Sequence, residues 1–308
     1  MAEIAQVWSA ADWRGSQVAD DPGWRLPLSS AQQDEVLVAL AVAQGADVPL
    51  DSVSREVFPL PTLGVELRRL ADDVVHGRGF ALVQGVPVDA LTEEQCVLVA
   101  VGISAYIGDL VPQGPQRAPV VHVRDGGADA ASSITRSYQH SGRLGFHADP
   151  TDVVALLCLR PARSGGLSAI VSSVAVHNAL VAARPDLARL LYEPWWFDRR
   201  TGDGPDSFYQ QPVYAIGTDG RLSTRYGPDY IRSAQRGAHV PALDADRVEA
   251  MEALDRLNHA PDFLLTMELR PGDLQLLNNR VILHSRTAYE DHPEPERRRH
   301  LLRLWLDM

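Results

Sequence analysis

The sequence predicts an α+β protein with a β-sandwich or barrel core flanked by helices. Three observations carry this. From about Val120 onward, short apolar runs alternate with Gly, Pro, Asn and Asp, the pattern of strands and tight turns. Before that point, helical apolar spacing dominates. Nothing along the 308 residues reads as an internal repeat, a low-complexity tract or an interdomain linker. The whole of 1–308 is therefore expected to be a single domain, with a helical N-terminal part (1–76) packing on a core built from 77–308.

The elements follow in order. SSAQQDEVLVALAVAQGA (29–46) opens on a serine, keeps helical apolar spacing and ends at Gly45. Gly64–His76 is a second amphipathic helix, and Gly79–Val88, punctuated by Gly and Pro, is a strand. Leu91–Ile107 starts at Thr92-Glu93-Glu94 and continues as a helix. Strands are predicted at Val120–Val123, Val153–Leu159, Ser168–Ser172, Gln211–Ile216, Leu222–Tyr226, Phe263–Leu269, Leu274–Leu277 and Leu301–Leu306. Helical pieces fall at Ser173–Ala183, Pro185–Leu191 and Ala245–Asn258. The turn Arg270-Pro271-Gly272-Asp273 feeds directly into an apolar strand.

Composition removes several function classes. All 29 basic residues are arginine, so Schiff-base lysine chemistry and the lysine-bearing phosphate loop are excluded. The missing lysine itself reads as genome bias. A net charge of −11 argues against a dedicated nucleic-acid binder, while leaving room for a locally positive pocket. Cys96 and Cys158 lie far apart in apolar runs and read as buried small hydrophobes rather than a zinc site or disulfide. No secretory signal and no membrane-spanning run is evident, so the expectation is a cytoplasmic protein with no membrane or nucleic-acid partner. Homo-oligomerisation is left open.

The chemistry-bearing residues are Gly145-Phe146-His147-Ala148-Asp149 and, far downstream, Asn278-Asn279-Arg280-Val281-Ile282-Leu283-His284. On an extended strand or strand end, His147 and Asp149 share one face. A histidine from a distant strand would complete the two-His-one-carboxylate facial set that holds non-haem Fe(II). Ten histidines and forty acidic residues in 308 give about 1.3 chance matches to H-x-[DE], and the sequence has two, so the motif alone does not decide. The second match, His292-Pro293-Glu294, lies in a charged, proline-broken loop and reads as solvated surface. Context favours His147 and Asp149, which precede a long apolar run. Downstream, alternation on a strand puts Arg299, Leu301 and Arg303 on one face and His300, Leu302 and Leu304 on the other. Two arginines facing inward need anions, and a dicarboxylate gripped by a guanidinium fork would supply one.

Together, His147-Ala148-Asp149, the Gly165-Gly166-Leu167-Ser168 turn, the Asn279-Arg280-x-x-x-His284 strand and Arg299-x-x-x-Arg303 resemble the TauD/TfdA family of Fe(II)- and 2-oxoglutarate-dependent dioxygenases, with the clavaminate-synthase-like branch also similar. The resemblance runs from about Gly77 to the C-terminus. It implies a double-stranded β-helix (jelly-roll, cupin-like) core. It implies that His147, Asp149 and His284 ligate Fe(II), that Arg299 and Ser168 bind the distal carboxylate of 2-oxoglutarate, and that Arg303 reaches the substrate. Ala148 departs mildly from the Thr or Ser common at the middle of the motif. Asp149 disfavours the halogenating relatives, which lack the carboxylate.

The activity implied is oxidation of an unactivated C–H bond by O₂, as hydroxylation, desaturation or cyclisation, with release of succinate and CO₂. The substrate expected is a small carboxylate-bearing molecule, such as an amino acid or a natural-product intermediate in secondary metabolism. Tyr138, Gln113, Arg143 and Arg286 are further candidates for substrate contact. Arg225 and Tyr226 read as a structural strand pair, and Trp195-Trp196-Phe197 as core. Two rivals remain at this stage: a metal enzyme on the same barrel that does not use 2-oxoglutarate, and a non-catalytic barrel that binds a small carboxylated ligand.

Overall fold

The computed structural model describes residues 4–114, 116–127, 140–202 and 204–308. The N-terminal part carries α1 (Gly15–Val18), β1 (Arg25–Pro27), α2 (Ser30–Ala46) and α3 (Leu63–His76). Then come β2 (Phe80–Gln84), α4 (Glu93–Ser104), β3 (Asp109–Val111), β4 (Val120–Val123), β5 (Leu144–His147) and β6 (Val153–Arg160). The middle of the chain supplies β7 (Ser164–Gly165), β8 (Ser168–Ser172), α5 (Ser173–Ala183), α6 (Pro185–Leu190) and β9 (Pro194–Asp198). It continues with β10 (Phe208–Pro212), β11 (Tyr214–Ile216), β12 (Leu222–Thr224), α7 (Pro228–Ala234) and α8 (Ala245–Asn258). The last strands are β13 (Leu265–Met267), β14 (Leu274–Asn278), β15 (Ile282–Arg286), β16 (Tyr289–Glu290) and β17 (His300–Asp307).

Local chemistry sets the helix starts. Ser29 and Thr92 each form a capping box, with Gln32 and Gln95 respectively, and Asp244 caps α8 through the Arg247 amide. Ser172 ends β8 and caps α5, its side chain accepting from the Ala175 amide, so strand and helix meet without a loop.

Two sheets make the jelly-roll core. The larger runs β1-β2-β14-β6-β17-β3, with β4 also paired to β17; the smaller runs β13-β8-β15-β5. Period-2 alternation decides what each face of the larger sheet meets. On β17, Leu302, Leu304 and Leu306 pack with α2, α3 and α4, together with Val153, Ala155 and Leu157 of β6. Leu301 and Trp305 turn the other way and join the cluster that includes the smaller sheet, α5 and α8. Arg303, midway between them, faces inward with them.

Two details depart from the sequence expectation. The N-terminal part is not only helical, because β1 pairs in parallel with β2 and becomes the sheet edge. The run Gln211–Ile216 is two strands divided at Val213, β10 pairing with β9 and β11 with β12. Pro212 lacks an amide to continue a ladder, and the chain turns there. Cys96 and Cys158 are buried and unpaired, as expected. Among the described residues no helix is long and apolar enough to cross a membrane.

Candidate metal centre

β15 runs antiparallel to β5 with His284 directly opposite His147, and their ring centroids stand 4.2 Å apart. Asp149 follows just past the end of β5, where the Ala148 amide donates to the Tyr226 carbonyl and anchors the chain. His147 Nδ1 lies 2.9 Å from the Gly145 carbonyl and donates to it, which leaves Nε2 bare and 3.9 Å from Asp149 Oδ1. The other carboxylate oxygen accepts from Trp305 Nε1 at 2.9 Å and faces Arg303 Nη1 at 3.6 Å. The Asp149 amide donates to Asn279 Oδ1. All three side chains are buried, and one ligand atom from each lies within 4.8 Å of the others. His284 Nδ1 is buried with no hydrogen-bond partner among the described residues.

Protonation suits a cation. Burial, reinforced by His147, pushes the His284 imidazole down to about 3. Burial alone would raise the Asp149 carboxyl, but Arg303, the two histidines and the Trp305 donor outweigh it and hold it at about 2. Near neutral pH the set therefore offers a neutral imidazole and a carboxylate without a proton to shed. Two imidazoles, one carboxylate and an orphaned ring nitrogen fit a divalent iron site with open positions.

Three cavities border this centre; the smallest lies between Leu144-Gly145 and Gly227-Tyr230, and two others extend away from it. The first of these reaches from His147 and His284 past Ser168 to Arg286 and Arg299. Arg299 precedes β17 and is held through its backbone: its amide donates to Asp291 Oδ1 at 2.7 Å, and the neighbouring Arg298 carbonyl accepts from Arg160 Nε. The Gly165-Gly166 turn passes beneath it with φ of +74° and +69°. A Cβ on Gly166 would stand 3.2 Å from Arg299 Nε, so glycine is what lets the turn come so close. Arg299 Nη1 is buried without a partner among the described residues, and Ser168 Oγ donates to Gln275 Oε1 while lining the same space.

The second, larger cavity opens beside Asp149. Phe197, Tyr209, Tyr226 and Trp305 form apolar wall, and Arg199, Arg225 and Arg303 bring three guanidinium groups. Of its two acidic residues, Asp198 is engaged by Arg236 Nε at 3.0 Å and by Ser233, and Asp149 by Trp305 and Arg303. Arg225 donates to the Asp149 carbonyl at 3.0 Å, and Arg199 stacks on Tyr209 at 4.1 Å.

The structure thus brings together His147, Asp149, His284, Ser168, Arg299 and Arg303. It moves or removes other sequence candidates. Gln113 does not line the larger cavity: it is buried, its Oε1 accepts from Arg303 Nε and its Nε2 donates to the Arg303 carbonyl, both at 3.0 Å. It braces Arg303. Arg143 is exposed and lines neither cavity. Arg286 belongs to the Arg299 cavity, not the substrate side. Tyr138 lies outside the described residues. Arg225 and Tyr226, read as a structural pair, line the larger cavity because β12 ends at Thr224 and releases them from the ladder.

A second cluster, Glu93, His122 and His300, also places ligand atoms within 4.8 Å. A guanidinium already sits there: Arg160 Nη2 is 2.8 Å from Glu93 Oε1 and 2.9 Å from His300 Nδ1, and His300 Nε2 is 2.8 Å from His122 Nδ1. It is an ion-paired network tying α4 to the start of β17, behind Arg299.

A jelly roll presenting two histidines and an aspartate between an arginine-lined cavity and a larger pocket defines a non-haem iron oxygenase. The chain belongs to the TauD/TfdA family: the family model described as taurine catabolism dioxygenase TauD, TfdA family, matches residues 46–305. It is an Fe(II)- and 2-oxoglutarate-dependent dioxygenase. It is 31% identical to FR-33289 synthase of Streptomyces rubellomurinus, over 100% of this chain and 93% of that protein. It is 32% identical to a taurine hydroxylase-like protein of Stachybotrys chartarum, over 95% of this chain and 77% of the relative. The fold is similar to that of an asparagine oxygenase solved with Fe(II), hydroxyasparagine and succinate (TM-score 0.70, 20% identity, 92% of this chain and 93% of that one).

Proposed function

We propose that this dioxygenase oxidises an unactivated C–H bond of a small substrate carrying an anionic group, a carboxylate in the first instance, in cytoplasmic secondary metabolism. The observation that carries the substrate class is the larger cavity, where Arg199, Arg225 and Arg303 converge and both acidic residues are already engaged. The match across residues 46–305 supports one oxygenase domain.

His147, Asp149 and His284 would hold Fe(II), which supplies the oxygen chemistry that couples decarboxylation of 2-oxoglutarate to substrate oxidation. The residues do the placing. Gly145 fixes the His147 tautomer, and Trp305 and Asn279 fix the Asp149 carboxylate. Arg299 and Ser168 would receive the distal carboxylate of 2-oxoglutarate, and Arg303, braced by Gln113, orients the substrate anion beside Asp149. The apolar wall of Phe197, Tyr226 and Trp305 excludes water around the reacting carbon.

The test is an aerobic succinate assay with Fe(II), 2-oxoglutarate and paired small amino acids, hydroxy acids and phosphorylated or sulfonated compounds, each beside its neutral ester or amide. Succinate release above the substrate-free rate is expected for anionic members only. Equal stimulation by the neutral partners would overturn the substrate class.

A further inference from the structure

We infer that Arg286 is a second cation for the distal carboxylate of 2-oxoglutarate, so that this chain grips its co-substrate with two guanidinium groups. The inference rests on the co-substrate reading of the Arg299 cavity. Arg286 and Arg299 both line that cavity, and both are about 6% exposed. Their guanidinium carbons flank one ring, Tyr289, at 4.7 Å and 5.2 Å from its centroid. Arg286 Nη2 donates to the His140 carbonyl at 2.8 Å and to the Gly142 carbonyl, so one edge of the fork is spent on the backbone. Its Nε remains buried without an acceptor among the described residues, as does Arg299 Nη1. Among the described residues neither guanidinium has a carboxylate within ion-pair distance: Asp291, whose charge reaches both through space, spends Oδ1 on the Arg299 amide and keeps Oδ2 buried without a partner, and Glu290 pairs with Arg163.

Two buried cations side by side, each with an orphaned donor, are costly unless an anion with more than one acceptor sits between them. A carboxylate has about four acceptor sites and satisfies both orphaned donors together. The strand register supports this, because Arg286 on β15 lies directly opposite Ser168 on β8, so the hydroxyl and the guanidinium start from paired positions.

The test is calorimetric binding of 2-oxoglutarate and of 2-oxovalerate to the anaerobic Fe(II) protein. The two share the keto-acid head and chain length, and only the first has the distal carboxylate. Wild type should prefer 2-oxoglutarate strongly. In Arg286→Gln that preference should fall roughly tenfold or more, the size of a lost charge-assisted hydrogen bond. A purely structural role for Arg286 would weaken both ligands alike, and an unchanged preference overturns the inference. Arg286→Lys, which keeps the charge but loses the fork, should retain an intermediate preference, and it decides the question if the glutamine variant does not fold. A wild type indifferent to the distal carboxylate would instead overturn the co-substrate reading itself.

Discussion

Asp149 receives more orienting contacts than any other side chain of the triad, and they come from elements far apart in sequence. Trp305 on β17 donates to its carboxylate, Asn279 accepts from its amide, and Arg225 takes its carbonyl. Such outer contacts set how well a ligand is presented without touching the metal. Trp305→Phe removes one donor and keeps most of the apolar volume. Fe(II) affinity measured by anaerobic titration should fall about 10- to 100-fold, with the fold retained by circular dichroism. Wild-type affinity would show that the indole only packs. Gln113 makes the same kind of argument for Arg303. Gln113→Leu would remove an acceptor from the buried Arg303 Nε, at a cost of about 1–3 kcal/mol in urea unfolding. It should raise the substrate KM more than the 2-oxoglutarate KM, because Arg303 pairs with Asp149 and lines the larger cavity beside it.

At the scale of elements, the co-substrate end of the site depends on a glycine turn meeting the start of β17. Gly166→Ala forces φ near +69° on a residue with a Cβ and presses that Cβ toward Arg299 Nε, 3.2 Å away. The variant should lose about 1 kcal/mol of stability and raise the KM for 2-oxoglutarate severalfold. Unchanged kinetics would mean that Arg299 can shift freely. β17 also shows what was readable in sequence. Its alternation of Leu301, Arg303 and Trp305 against Leu302, Leu304 and Leu306 follows from strand geometry alone, and the observed faces match it. His147 and Asp149 are legible only from their context and His284 only through the family resemblance, because ten histidines and a chance-level motif do not single them out; antiparallel pairing sets the two histidines opposite each other. Gln113 could not be placed correctly, because its tie to Arg303 spans 190 positions and leaves no periodic signal. Arg286 could be put near the centre but not on the right side of it. The register of β15 against β5 shifts between His284 and Arg286, so alternation from His284 does not fix the cavity that Arg286 enters.

At the scale of the whole molecule, the buried histidines impose a pH limit on the metal-free protein. Burial lowers His300 to about 4 and His284 to about 3, and it lowers His177 as well. Once unfolded, each would titrate near 6.5. Between those limits the unfolded chain binds protons that the native chain refuses. Stability is therefore fully present above about pH 6.5 and drains away as pH falls toward 4. Each such histidine adds a slope of at most about 1.4 kcal/mol per pH unit inside its own window. Carboxylates whose native pKa is depressed, such as Glu93, act in the same direction but only as pH falls below about 4.5, where the unfolded group begins to protonate. Urea unfolding of the metal-free protein at pH 7, 6 and 5 should accordingly show a steady loss of stability across an interval in which few carboxylates titrate. His300→Gln keeps a polar group behind Arg299 but removes the ionisable one, and it should make that loss shallower. An identical pH slope in wild type and His300→Gln would show that His300 can take up a proton in the folded state, with Glu93 at 3.4 Å from Nδ1 as its counter-ion.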